Sequence, residues 1–220
     1  MRFVSLIAGA SLLLATDATA QPCIGLPLKI ITFSAGTGLL HSATSYGGRI
    51  GLSVDNQFAG VTLGKQTVNS ASPEISWFRT EVGMASYRAN TVRPLTFCPL
   101  GSIMKGRGSP RIISDRKARS EQVIFTGGFA VGRELAIARR VIVVPNGSVS
   151  AVIENHSVRS DGPKVGRPTG TTRNGAQLGA GLSLLLGEIL AFQPSVIVPL
   201  WLESSEPVLG LSLSMALGRW

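Results

Sequence analysis

Two runs near the C-terminal end decide how this chain folds. From Gln177 to Leu186 it reads Gln-Leu-Gly-Ala-Gly-Leu-Ser-Leu-Leu-Leu, and from Leu209 to Trp220 it reads Leu-Gly-Leu-Ser-Leu-Ser-Met-Ala-Leu-Gly-Arg-Trp. In the first run Leu178, Ala180, Leu182, Leu184 and Leu186 share one parity; in the second Leu209, Leu211, Leu213, Met215 and Leu217 do. The opposite parity carries Gly179, Gly181 and Ser183, then Gly210, Ser212, Ser214, Ala216 and Gly218. Side chains alternate across a strand, so each run has one apolar face and one small or polar face. Whether the apolar face meets a sealed core or hydrocarbon is decided by the rest of the chain.

The chain is rich in glycine, 26 of 220 residues, and only 15% of it is charged. Residues 1 to 20 read as an export signal. Arg2 gives the positive start, Phe3 to Ala15 is a short apolar stretch, and Ala18-Thr19-Ala20 is a small-x-small cleavage site, so the mature chain is expected to begin at Gln21. The stretch is too short to span a bilayer as a helix. Its removal takes away Arg2 and Asp17 and leaves the net charge at +9. Two cysteines, Cys23 and Cys98, follow the signal, and an even pair in an exported protein suggests one disulfide. No Cys/His cluster has zinc spacing, and neither a metal nor another cofactor is expected. With no long apolar run after residue 20, an exported chain of this kind is either a β protein with a large core or a membrane β-barrel whose apolar face is the outer one.

Ten alternating runs can be traced, most of them about ten residues long, the length that a tilted strand needs to cross a bilayer. They are Leu28 to Leu40, Tyr46 to Val54, Phe58 to Gln66, Ile75 to Arg88, Arg93 to Met104, Gln122 to Gly132, Arg139 to Ile153, Gln177 to Leu186, Leu190 to Leu202 and the closing run. Pro94 and Pro99 weaken the fifth, eight strands is the alternative count if the first or the fifth fails, and Pro145 is expected to mark a bulge or kink. The fourth run says most. Phe78, Thr80, Val82 and Met84 share one face, while Trp77, Arg79, Glu81, Gly83, Ala85 and Tyr87 share the other. In a membrane barrel Arg79 and Glu81 would form an ion pair in the lumen; in a soluble strand they would be a solvated pair worth about 0–1 kcal/mol.

Lys105 to Glu121 reads as a basic loop, with Lys105, Arg107, Arg111, Arg116, Lys117 and Arg119, and Glu154 to Asn174 as a second long loop. Connections after odd-numbered runs are mostly longer and those after even-numbered runs tight. That is the asymmetry of a barrel with short periplasmic turns and longer external loops.

With its signal, its ten glycine-punctuated runs, the Phe97-Cys98-Pro99 strand and the Pro194-Ser195-Val196-Ile197-Val198-Pro199 strand before the last amphipathic run, the chain resembles the small outer-membrane β-barrels of Gram-negative bacteria. The likeness is to the opacity-protein and OmpA-like transmembrane-domain class, and it covers nearly the whole mature chain. Trp220 departs from it, being out of phase with Leu213, Met215 and Leu217. The resemblance implies an antiparallel up-and-down transmembrane barrel over residues 28–220, placed in the outer membrane. Its partners would be outer-membrane lipid, lipopolysaccharide and the outer-membrane assembly machinery.

Few residues could carry chemistry. Of the two histidines, His41 lies in the first loop and His156 stands beside Glu154 and Ser157. Some small barrels modify outer-leaflet lipid with His and Ser, so these three are the candidates for such an activity, although sequence neighbours on a strand end point to opposite sides. No catalytic residue is assigned. The six basic residues of the 105–121 stretch are candidate contacts to lipopolysaccharide phosphates, which arginine binds bidentately. Nucleic acid is not expected as a partner, since the basic stretch lacks stacking aromatics. The segment Gln21 to Pro27 would tuck against or into the lumen, pinned by a Cys23–Cys98 bond. The expected role is structural, adhesive or that of a small pore. A soluble exported lipocalin-like barrel with a hydrophobic ligand is the alternative, and a lipid-modifying barrel enzyme the third reading.

Overall fold

The computed structural model describes Cys23 and residues 31–40, 43–54, 57–68, 74–86, 95–109, 111–113, 116–138, 141–160, 169–186, 189–200 and 206–217. The expected signal peptide, the rest of the 21–27 segment, His41, Ser42 and Trp220 lie outside the described residues. The strands are β1 (Ile31–Leu40), β2 (Ala43–Val54), β3 (Gln57–Val68), β4 (Ile75–Met84), β5 (Thr96–Gly108), β6 (Arg111–Ile113), β7 (Arg116–Gly132), β8 (Leu135–Ala138), β9 (Val141–Ser160), β10 (Thr169–Leu186), β11 (Leu190–Leu200) and β12 (Val208–Leu217).

Ten of them close into an antiparallel barrel in the order β1-β2-β3-β4-β5-β7-β9-β10-β11-β12 and back to β1. The seam runs from Ile31↔Leu217 to Leu39↔Leu209. The short strands β6 and β8 are flaps hydrogen-bonded to β7 and β9. Closure leaves no long open edge in the wall, the condition a strand-built membrane protein must meet.

The alternation lies as the sequence requires. Leu178, Leu182, Leu211 and Leu213 are 44–58% exposed on the outer face, in company with Phe33, Ile50, Leu52, Val61, Leu63, Phe78, Val82, Phe125, Val149, Ile153 and Leu209. Their intervening neighbours are buried inside: Thr32 and Ser34 on β1, Arg79 and Glu81 on β4, Ser183 on β10, Ser212 and Ser214 on β12. A polar, charged interior under an apolar exterior is the arrangement of a barrel solvated by hydrocarbon, and the reverse of a lipocalin-like cavity.

Three expectations are corrected. The stretch 105–121 is not a loop: β5 continues to Gly108, and β7 starts at Arg116, so all six basic residues lie on strands. Glu154 to Asn174 is likewise mostly strand, because β9 continues to Ser160 and β10 begins at Thr169. Pro145 causes no slip, since the β9–β10 register is unbroken through Leu182↔Pro145; the proline is an exposed outward residue and the chain runs on through it.

The sorting of loops by length also fails. Only residues 41–42 separate β1 from β2, while residues 85–95 separate β4 from β5 at the opposite end. The asymmetry is in the strands instead. β7, β9 and β10 have 17, 20 and 18 residues, against 10 in β1, β4 and β12, so one side of the barrel stands taller at the end remote from Ile31 and Leu217.

Candidate functional site: the lumen and its rim

The lumen is filled in layers. At the end where β1 begins and β12 stops, Cys23 and Cys98 are disulfide-bonded, with sulfurs 2.09 Å and Cα atoms 6.2 Å apart. Both are fully buried against Phe58, Ala85 and Ala130. Cys98 takes the inward parity of β5, so the bond ties Cys23 to the inside of the wall. Nearby, Val144, Leu185 and Ala191 form a second apolar patch.

Above this floor is a buried ionic cluster. The Arg49 Nε of β2 donates to Glu81 Oε1 of β4, and Arg49 Nη1 lies 3.4 Å from Thr32 Oγ1. Arg79 Nε is 3.8 Å from Glu81 Oε2, the longer of the two arginine contacts to this carboxylate. Side chains at Arg49, Arg79 and Glu81 are 1–2% exposed. Space for the Arg49 guanidinium comes from Gly51 and Gly60, where a Cβ would lie 2.7 Å from Arg49 Nη1 and Nη2 respectively. A buried charge needs a partner to be tolerated, and Glu81 supplies one negative charge to the two guanidiniums.

Next comes an apolar layer. Trp77, Met104, Ile124, Val152, Ile197 and Val208 are buried in contact with one another, and Leu40 packs against them. Each comes from a different wall strand, so the layer reaches across the interior. Trp77 fits because its cross-strand neighbour is Gly64, and Gly64 in turn faces Gly47. A Cβ on Gly64 would run into the indole, and one on Gly47 would come within 3.1 Å of it.

Beyond that layer, Gln122 Nε2 of β7 donates to Glu154 Oε1 of β9, and Arg173 of β10 stands opposite Glu154 in register. Glu154 is fully buried, Gln122 nearly so, and His156 half-buried on the same inward parity. Ser157 has the other parity, so the wall divides its hydroxyl from the imidazole of His156. The three residues singled out for lipid chemistry are thus not brought together.

The basic residues occupy the tall side. Lys105 and Arg107 point outward from β5, and Arg107 Nη2 lies 2.9 Å from Glu121 Oε1. Arg119 is half-buried on β7, while Arg111, Arg116 and Lys117 occupy the β6–β7 hairpin through Arg111↔Ala118, Ile112↔Lys117 and Ile113↔Arg116. On the neighbouring part of the rim Lys65 Nζ is 3.0 Å from Glu74 Oε1. Sequence reasoning missed Arg49, Gln122 and Lys65. Arg49 shares the parity of Gly47 and Gly51 against the outward Ile50 and Leu52, which gave its direction, but its partner depends on a register no single strand reveals. Among the described residues no group of three or more His, Cys, Asp or Glu could hold a metal ion.

No protein-family model matches the chain, and no curated protein does. Solved structures do match in fold. The translocator domain of the autotransporter NalP from Neisseria meningitidis superposes with a TM-score of 0.55 at 12% identity, over 98% of this chain and 97% of that one. The β-domain of the Bordetella autotransporter BrkA gives 0.52 at 14% identity, over 85% of this chain and 98% of that one. The chain has the fold of the outer-membrane β-barrels.

Proposed function

We propose that the protein is an integral outer-membrane barrel that passes no solute and acts, in a structural or adhesive role, through what its rim presents outside the cell. An even-stranded barrel keeps both termini in the periplasm, which puts the disulfide floor on the periplasmic side and the tall basic wall outside. The observation that carries the reading is the apolar layer from Leu40 to Val208. An ion crossing it would have to shed its water without finding a polar partner, and a dry constriction of that kind blocks conduction. The outer rim would then set the contacts: we assign Lys105, Arg107, Arg111, Arg116, Lys117 and Arg119 to anionic lipopolysaccharide phosphates, since charge-assisted bonds to phosphate are the strong ones. Insertion would depend on the outer-membrane assembly machinery, after export by the signal peptide.

Cell fractionation and a planar-bilayer recording test this together. The protein is expected in the outer-membrane fraction with heat-modifiable gel mobility, and purified barrels are expected to give no discrete current steps. Reproducible open-channel steps from the unaltered barrel would refute the non-conducting role. A lipid-modifying activity is not proposed, and the lipid A mass spectrum is expected to be the same with and without overexpression.

A further inference from the structure

We propose that the outer wall carries a groove for one acyl chain of a phosphorylated glycolipid of the outer leaflet, with the sugar-phosphate headgroup resting on Lys65, Ser76 and Lys105. The inference rests on the outward orientation of the rim proposed above and adds a defined site and ligand class to it. The groove has a volume of about 560 Å³ and lies over β1 to β4. Its centre is Gly48, which stands in register between Ala35 and Leu63 on the outward face. Its floor is bare backbone, because Gly36, Gly47 and Gly64 make up the adjoining inward row and Trp77 seals that row from within.

Gly48 is not required by the wall. A Cβ there would have Ser34 O as its nearest neighbour at 3.9 Å, ordinary van der Waals contact, and its backbone is not left-handed. The missing side chain leaves a slot in a face otherwise covered by Phe33, Ile50, Leu63 and Phe78. Such a slot holds a flexible acyl chain against competing lipid by close packing alone.

Selection comes from the mouth. Along the rim Tyr46, Lys65, Ser76 and Arg107 follow one another in register on β2 to β5. The Tyr46 hydroxyl donates to Glu74 Oε1 at 3.3 Å and Lys65 Nζ is 3.0 Å from the same oxygen. A carboxylate, a phenol, a hydroxyl and an ammonium side by side offer the donors and acceptors that sugar hydroxyls need. Lys105, exposed and paired with no described residue, adds an unneutralised charge one strand over, opposite Phe78, for phosphate. A second outward groove of about 590 Å³ lies near the periplasmic end, and Gln57 is the one polar side chain among its lining residues. It therefore has the slot without the selective mouth.

The full-length barrel, purified in mild detergent, is offered equal amounts of diphosphoryl lipid A, phosphatidylglycerol and phosphatidylethanolamine, and the retained lipid is read by native mass spectrometry. One lipid A per barrel is the expected result. Gly48→Leu, which fills the slot, is expected to lower retention at least about tenfold. Gly101→Leu, in the second groove and with its nearest neighbour Thr126 O at 3.7 Å, is expected to leave it unchanged. Lys65→Gln combined with Lys105→Gln should remove the preference for lipid A over the two phospholipids while Gly48 is intact. Equal retention by Gly48→Leu and the unaltered barrel overturns the groove. Equal retention of all three lipids by the unaltered barrel overturns the headgroup selection, and a dimer abolished by Gly48→Leu makes the groove an interface between two copies. Heat-modifiable mobility of each variant reports folding separately. Absence from the outer-membrane fraction would sink the location, which the competition in detergent does not read.

Discussion

Glu81 serves two arginines, Arg49 and Arg79, from positions in the lumen where water is scarce. Removing one partner of a buried pair leaves an uncompensated charge, so Glu81→Ala is expected to destabilise the folded barrel by about 3–5 kcal/mol. Arg107→Ala, which loses an exposed partner, should cost under about 1 kcal/mol. Urea titration of barrels folded into vesicles measures both, and equal effects would disprove the buried cluster. Glycines divide in the same way. Gly64→Val would drive a side chain into the Trp77 ring and is expected to lower stability by about 1–3 kcal/mol, whereas Gly48→Val, meeting only Ser34 O at van der Waals distance, should be nearly neutral. The inward direction of Arg79 and Glu81 was legible from parity within β4. Their sharing of one carboxylate with Arg49 was not, because Arg49 lies 32 residues from Glu81 and meets it across β3.

At the level of elements, alternation was read correctly wherever one face had to be apolar. Phe78 and Val82 out, Trp77 and Arg79 in, needed only the period of two. Strand ends were a different matter. Arg116 to Glu121, Glu154 to Ser160 and Thr169 to Asn174 are hydrogen-bonded strand, yet their sequence has no run of alternating apolar residues, which a strand needs only where it faces hydrocarbon. A strand without a greasy parity looks like a loop in sequence, and both long loops were expected for that reason. The difference is testable. Leu211→Arg, near the middle of β12, should destabilise by about 2–4 kcal/mol in vesicles, while Ser157→Arg on the raised part of β9 should change little. Similar penalties at both sites would place the hydrocarbon boundary elsewhere.

For the whole molecule, the Cys23–Cys98 bond closes a loop of sequence separation 75 and joins the segment before β1 to the wall. In the chain-entropy account a loop of that size stabilises by about 4 kcal/mol, so Cys98→Ser is expected to shift the urea midpoint downward, and unaltered protein kept in reductant should match it. That the two cysteines would pair was legible in sequence; the burial of their bond against Phe58 depended on closure of the barrel. The uneven wall was not foreseen at all, because height is a sum over strand ends that were each read too short.

Its consequence concerns what a neighbouring cell or an antibody can touch. The mouth is cut on a slant, with β9 rising roughly 15–20 Å past β1 on the side away from the short 41–42 connection. In a lawn of surface sugars the low lip would stay hidden beneath the canopy while the high lip emerged. Immunoglobulins raised against intact cells should therefore map to residues 116–120, 155–160 and 169–174 and pass over the crest between β1 and β2.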